Sequence, residues 1–316
     1  MKHSFDFDPT YGLTLEELLT IQPPKATAEF ATFWKLRFHR VQQIAPRPSI
    51  TDTGKQRGHW IIYDISYHSS HGATIKGWLL IPKTGIIRRG FVVGHGYGGR
   101  DEPDFDLPFH DAAILFPCCR GISRSTQAPY SSDPQWHVLH DIDKPNHYIL
   151  GGCVDDIWLA FSSLLRLFPQ TKGHLGYLGI SFGGGIGAMA VAWDSRVKKA
   201  HFNIPSFGHQ KLRLTLPTHG SGNSVQTFFK KNRKAVLETL RFHDAALAAQ
   251  WIRIPTHFAL AKFDPVVAPP GQFAIYNAIP GEKQLFVLDA GHHDYPLKDL
   301  QHRQLQSTLV DFFADL

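Results

Sequence analysis

The chain has 316 residues, of which 43% are hydrophobic and 19% charged, a composition that sets aside disorder, collagen-like repeats and simple coiled coils. Lys+Arg 33 against Asp+Glu 27 leaves a formal charge of +6, a weak bias toward anionic surfaces. Its densest basic run, Lys230, Lys231, Arg233 and Lys234, lacks interleaved aromatics and reads as a solvated helix face, so nucleic acid is not an expected partner.

Residues Leu13 to Ile44 carry helical spacing: Thr14 and Glu17 form a capping-box pattern, and Phe30, Phe33, Trp34 and Phe38 recur at three- and four-residue steps. This stretch, within residues 1–50, is expected to be a helical arm packed onto the rest. The runs Trp60 to Tyr67 and Ile75 to Pro82 flank a His-Ser-Ser-His-Gly turn and predict two antiparallel strands. From Gly90 the pattern becomes an alternation. Apolar strands are predicted at 91–93, 113–116, 175–178, 257–260 and 284–288, with helices around 154–167, 184–193, 272–278 and 305–313. Continuously apolar strands separated by helices imply a mostly parallel central sheet covered on both faces. Residues 205–253 interrupt the alternation and are expected to form a cap or lid over the C-terminal edge of the strands, within a single domain spanning 1–316.

Gly179-Ile180-Ser181-Phe182-Gly183 follows an apolar strand and opens a small-residue helix, the context of a nucleophile elbow in which a tight turn projects a serine hydroxyl above the sheet. A serine needs a base and a group to orient that base. In the α/β-hydrolase fold these arrive in the order Ser, acid, His, each after a later strand. Asp264 follows the strand at 257–260 and His292 the strand at 284–288. Asp289 and His293 are the rivals, the first too close in sequence to His292 and the second facing away from it. Acyl transfer also requires donors for the oxyanion. The loop Gly94-His95-Gly96-Tyr97-Gly98-Gly99 follows the strand at 91–93, so the Tyr97 and Phe182 backbone amides are the candidates. Tyr97, Phe182, Pro205 and Phe207 are the expected pocket residues.

No metal is expected, because His68, His71, His292, His293 and Asp294 match neither an H-E-x-x-H nor a Cys-pair spacing. Three cysteines, with Cys118 beside Cys119, build no disulfide framework, and with Cys153 they read as small hydrophobes in a reducing, cytoplasmic setting. Neither a secretory apolar stretch at Met1 to Asp6 nor a membrane-length apolar run is present in the sequence, so no membrane partner is expected.

With these residues in place, the chain resembles the acetyl xylan esterase and cephalosporin-C deacetylase family, carbohydrate esterase family seven, over nearly its whole length. Leu13 to Leu18 and Phe30 to Trp34 look like that family's N-terminal arm, His95-Gly96-Tyr97 like its oxyanion loop, Arg120-Gly121 like the start of its Arg-Gly-Gln motif, and Gly291-His292 like its Gly-His-Glu. The resemblance implies Ser181 as nucleophile, Asp264 as acid, His292 as base, and the Tyr97 and Phe182 amides as oxyanion hole. It also implies a small-molecule acyl ester substrate, a homo-oligomer and no cofactor. Ile122, Phe182 and His293 stand where the family has Gln, Gln and Glu, which makes the surroundings of the site more apolar. The expected function is therefore a serine esterase or deacetylase releasing short acyl groups, acetyl foremost, from small or saccharide alcohols. The alternatives are the same triad acting on an amide or thioester, and an inactive hydrolase-fold binding module.

Overall fold

The computed structural model describes residues 1–316. Its strands are β1 (Ser49–Arg57), β2 (Trp60–His68), β3 (Thr74–Pro82), β4 (Arg89–Gly94), β5 (Ala112–Pro117), β6 (Leu175–Ile180), β7 (Val197–Asn203), β8 (Thr256–Ala261) and β9 (Lys283–Leu288). All nine join one sheet in the order β1-β2-β3-β5-β4-β6-β7-β8-β9. The first three run antiparallel as a meander, β3 pairs antiparallel with β5, and from β5 onward every pairing is parallel.

The helices are α1 (Leu15–Thr20), α2 (Ala28–Gln42), α3 (Pro134–His137), α4 (Ile149–Leu167), α5 (Phe182–Val191), α6 (Gln210–Arg213), α7 (Ser221–Lys231), α8 (Arg233–Leu240), α9 (Ala245–Ala249), α10 (Pro269–Ala278) and α11 (Lys298–Phe312). The larger of two apolar clusters holds α2, α4, α5, α9 and α10 residues such as Trp34, Trp158, Ile186, Leu247 and Phe273. The smaller gathers Phe91, Phe109, Phe312 and Phe313 around the start of the sheet and α11. Helices therefore cover both faces, the expected α/β-hydrolase architecture.

Three expectations change. The helical stretch from Leu13 to Ile44 is two helices, because Pro23 and Pro24 supply no useful backbone donors and bias the preceding residue toward extended geometry. The Thr14–Glu17 capping box does form, and Thr27 caps α2 through Phe30 N–H. Two strands, β1 and β7, are additional to those read from the sequence. The segment 205–253 does not act as one lid: α9 is buried throughout and packs on α5 and α10, so part of it is core.

The arm is tied down by a buried polar chain. Arg37 of α2 donates to both oxygens of Asp155 at 2.7 Å, and Ser70 donates to Asp155 Oδ2 at 2.5 Å. Arg120 donates to the Ser69 and Ser70 hydroxyls at 3.0 Å and to Asp156 Oδ1 at 2.6 Å. Two guanidinium groups thus face two carboxylates away from water, where an unpaired charge would cost several kcal/mol.

Buried imidazoles set the acid limit of this fold. Burial pulls His95 down to about 4, His243 to about 3 and His257 to about 4, from an ordinary 6.5. The unfolded chain takes up protons below pH 6.5 that the folded chain refuses, so stability is complete above that value and falls as the pH drops toward 4. At pH 5 the loss is roughly 2 kcal/mol per such residue. Denaturant titrations at pH 7 and pH 5 are expected to show this steep loss, and a stability flat over that interval would contradict it.

Candidate active site

Ser181 occupies the turn between β6 and α5 with φ 53° and ψ −111°, a backbone geometry that L-residues rarely adopt. Asn203 at the end of β7 accepts its N–H at 2.8 Å, while its carbonyl accepts from Ser206 at 2.9 Å and Gly185 at 3.0 Å. Flanking side chains have no room. A Cβ on Gly179 would lie 2.5 Å from the Gly183 carbonyl oxygen, and one on Gly183 would lie 2.6 Å from the Gly94 carbonyl carbon. The glycines of the motif are thus demanded by close backbone approach.

His292 follows β9 and Asp264 follows β8, and the structure brings both to Ser181. Ser181 Oγ lies 3.0 Å from His292 Nε2, and His292 Nδ1 lies 2.8 Å from Asp264 Oδ2. With Nδ1–H donating to the carboxylate, Nε2 is left to accept the serine proton. Asp264 is fully buried and collects further donors: the Val266 and Val267 amides at 2.8 and 2.9 Å, and Gln272 Nε2 at 3.1 Å. His292 has a positive φ of 46°. Its neighbour Gly291 donates to Phe263 O at 2.8 Å, which latches the histidine loop to the acid loop.

The rivals are engaged elsewhere. Asp289 pairs with Lys262 at 3.1 Å, and the His293 ring packs on Phe5 and Phe263. Gln272 was not singled out by sequence, and no local signal marks it. The first residues of the chain were missed as well. Pro9 O accepts the Asp264 N–H at 3.1 Å, Tyr11 Oη donates to Pro217 O at 2.7 Å, and Phe5 packs on Phe263. Burial, with the charge of Asp264 behind it, raises the Tyr11 phenol.

The loop after β4 is fastened to the elbow, since Gly183 N–H donates to His95 O at 2.8 Å. His95 Nε2 accepts from Cys119 N–H at 3.0 Å and Nδ1 faces Gly96 O at 2.6 Å, which fixes the tautomer. The Tyr97 hydroxyl donates to His137 Nδ1 at 2.9 Å, and His137 Nε2 donates to Arg120 O at 2.9 Å. The Tyr97 N–H has no acceptor in the protein, and the Phe182 N–H, first in α5, has no preceding helical carbonyl to meet. Phe182 follows Ser181 in the chain, and Tyr97 lines the same cavity as Ser181.

A cavity of about 910 Å³ opens on Ser181 and His292, with Tyr97, Asn203, Lys298 and His302 among its walls. This corrects the expected pocket. Tyr97 lines the cavity, whereas Phe182, Pro205 and Phe207 are buried and do not, because their rings are spent on internal packing. Phe182 lies 4.3 Å from the Tyr97 ring and 5.9 Å from that of Phe207. No residue of 205–253 lines it either. Elsewhere, Cys119, Cys153 and Asp156 bring potential ligand atoms within 4.8 Å of one another. The Asp156 oxygens are already held by Arg120 and Ser69, so this group is part of the buried polar network.

The family model of acetyl xylan esterase (AXE1) matches residues 9–311. The chain belongs to the acetyl xylan esterase family. That membership makes it a hydrolase of esters acting on small-molecule ester substrates. Among solved structures it is similar to an acetyl xylan esterase from Paenibacillus sp. R4, with 22% identity and TM-score 0.82 over 94% of this chain and 99% of that one. Acetyl xylan esterase 1 from Thermoanaerobacterium sp. JW/SL YS485 follows at 18% identity and TM-score 0.78, covering 95% of this chain and 99% of that one. A Pyrococcus horikoshii acylaminoacyl peptidase shares the fold at 17% identity and TM-score 0.63, over 82% of this chain and 42% of that one. No helix is long and apolar enough to cross a membrane.

The crossing of Gly183 over Gly94 gives a test of the elbow in this esterase. Gly183→Ala is expected to push the β4 loop away from Ser181 and lower kcat about 10²-fold, the scale of losing one oxyanion donor. Steady-state kinetics on an aryl acetate check it, and an unchanged kcat would show that the loop is not held by this contact.

Proposed function

We propose that the chain is a serine carboxylesterase or deacetylase that releases short acyl groups, acetyl foremost, from small or saccharide alcohols through an acyl-enzyme. The observation that carries this reading is the bridging imidazole: His292 meets Ser181 Oγ at 3.0 Å with one nitrogen and Asp264 at 2.8 Å with the other. Ser181 attacks the ester carbonyl while His292 takes its proton, and Asp264 holds the imidazole in the productive tautomer. The Tyr97 and Phe182 amides receive the oxyanion. His292 then returns the proton to the leaving alcohol, and a water deprotonated by the same imidazole releases the acid.

The choice of a short acyl group, acetyl foremost, follows from membership of the acetyl xylan esterase family. The leaving alcohol must depart beside His292, where the 910 Å³ cavity opens with polar walls from Asn203, Lys298, Asp299 and His302. Of the three mutually packed rings Tyr97, Phe182 and Phe207, Tyr97 alone lines that cavity. The buried free cysteines Cys118, Cys119 and Cys153 suit a cytoplasmic setting, and the protein is taken to work as one α/β-hydrolase domain.

Replacing Ser181 by Ala is expected to lower kcat on an aryl acetate by about four orders of magnitude or more, and to abolish labelling by a fluorophosphonate probe. A near wild-type rate in that variant would sink the serine mechanism. Absence of probe labelling in the wild type would favour an inactive binding module, and preference for an anilide over its matched ester would favour the amide reading.

The free edge of β1, exposed along nearly its whole length, supports assembly of several copies by edge or face pairing. Light scattering at micromolar concentration is expected to give a multiple of 35.6 kDa, and a monomeric mass would remove the oligomer from the proposal.

A further inference from the structure

Gln272, in the first turn of α10, is fully buried, and both ends of its side-chain amide are spent around Asp264. Its Oε1 accepts the Ala261 N–H at 3.0 Å, and its Nε2 donates to Val267 O at 2.7 Å and to Asp264 Oδ2 at 3.1 Å. The two backbone partners fix which end of the amide is which, since an N–H only donates and a carbonyl only accepts. The group that meets the Asp264 carboxylate is therefore the NH₂ end.

The place of this amide follows from how β8 ends. Pairing of β7 with β8 stops at Asn203 and Ala259, where Ile204 N–H makes a last bond to Ala259 O. Ala261 is buried beyond that end, and its N–H needs an acceptor within the protein. Helix α10 packs on β8, so Gln272 supplies that acceptor and reaches across to the loop that carries Asp264. Gln272 does not line the cavity of Ser181 and His292, so its effect on the reaction must pass through Asp264.

The donors divide unevenly between the two carboxylate oxygens. Oδ1 takes the Val266 and Val267 amides at 2.8 and 2.9 Å. His292 Nδ1 stands closer to Oδ2, at 2.8 Å, than to Oδ1, at 3.1 Å. Gln272 is the donor that shares Oδ2 with the imidazole. A hydrogen bond to an ionised carboxylate stabilises the charge and leaves less of it for another partner on the same oxygen.

We infer that Gln272 is a positioning residue for the hydrolysis, which fixes the rotation of the Asp264 carboxylate and limits the negative charge that Oδ2 presents to His292. The inference rests on the serine-esterase reading and adds to it a group that acts through the acid. Tyr11 is a further titratable side chain that feels Asp264, and burial together with that charge raises its phenol, which stays un-ionised. On the cavity wall with His292 stand Tyr97, His293, Asp294, Tyr295, Lys298, Asp299 and His302. None of these is hydrogen-bonded to Gln272, so a substitution at Gln272 leaves their charges in place.

The test is the pH dependence of kcat/KM for an aryl acetate in the full chain, read beside kcat and KM on the plateau. Gln272→Met keeps the length of the side chain and removes its donors. Oδ2 then offers more charge to the imidazole, the imidazolium keeps its proton to higher pH, and the acid limb is expected to move up by about half a pH unit. On the plateau kcat should fall about tenfold with KM unchanged, the scale of one hydrogen bond to a charged group. Gln272→Asn keeps an amide that is one methylene too short to span Ala261 and Asp264. It is expected to move the limb in the same direction by less, and it carries the test if the Met variant does not fold. The downfield Nδ1 proton of His292 in proton spectra is expected to shift in either variant. An acid limb that stays in place or moves down in a folded variant overturns the positioning role, as does an unmoved proton signal or a loss confined to KM or to the unfolding midpoint. Failure of the wild type to hydrolyse aryl acetates would instead overturn the esterase reading.

Discussion

The positive φ of Ser181 is the constraint around which the rest of the upper sheet is arranged. A serine in that conformation costs of order 1–3 kcal/mol and persists only if its surroundings leave no alternative. Here the N–H is held by the end of β7, the carbonyl by Ser206 and Gly185, and the following turn by the β4 loop through Gly183 N–H and His95 O. The same contacts that hold the strained residue also fix the Tyr97 and Phe182 amides relative to its hydroxyl. Ser181 and the loops that carry the Tyr97 and Phe182 amides are thereby one hydrogen-bonded unit, and the two neighbouring strands β8 and β9 deliver Asp264 and His292 to it.

That unit is anchored from below by polar groups rather than by the apolar core alone. Tyr97 leans on His137, His137 on the Arg120 carbonyl, and the Arg120 side chain on Asp156, Ser69 and Ser70. Through Ser70 and Asp155 the chain reaches Arg37 on α2. The N-terminal arm is therefore connected by hydrogen bonds to the loop that carries Tyr97. Buried hydrogen bonds to charged groups are the stronger kind, and a network satisfied at every member is stiff. At the other end of the arm, Pro9 O accepts from the Asp264 N–H and braces that loop, while Tyr11 donates to Pro217 O.

What could be read from sequence was whatever short-range chemistry dictates. The elbow was legible because glycines, a serine and a strand-to-helix change occupy five consecutive positions, and the acid and base because each follows an apolar strand. Strand β7 was hidden by Lys198 and Lys199, which break its apolar run; Lys199 reaches past the sheet to the Phe312 carbonyl and Asp315. Strand β1 was hidden because as an edge strand it buries no residue, so no alternation marks it. The role of α9 was equally opaque: an alanine-rich stretch suits a mobile cap or a close-packed core helix, and only its tertiary neighbours decide. Arg37 and His137 carry no local signature, since each acts on partners distant in the chain, and Gln272 carries none because its bonds to Asp264 and Ala261 form only once α10 packs beside β8.

The misplacement of the pocket has the same origin and says something about the chemistry. Phe182 was expected to line the pocket because it adjoins the nucleophile, yet in a tight strand-to-helix turn the residue after the serine directs its amide to the site and its ring into the protein. The ring there stacks at 5.6 Å on His95 and at 4.3 Å on Tyr97. Where a glutamine amide would require partners of its own, an aromatic ring is satisfied by contact, and Ile122 is likewise buried. Apolar Ile122 and Phe182 therefore make no polar demand on the interior around the loop that carries Tyr97. Tyr97, Phe182 and Phe207 form a layer of packed rings that runs from the cavity wall at Tyr97 inward to Arg213, whose guanidinium lies 5.3 Å from the Phe207 ring.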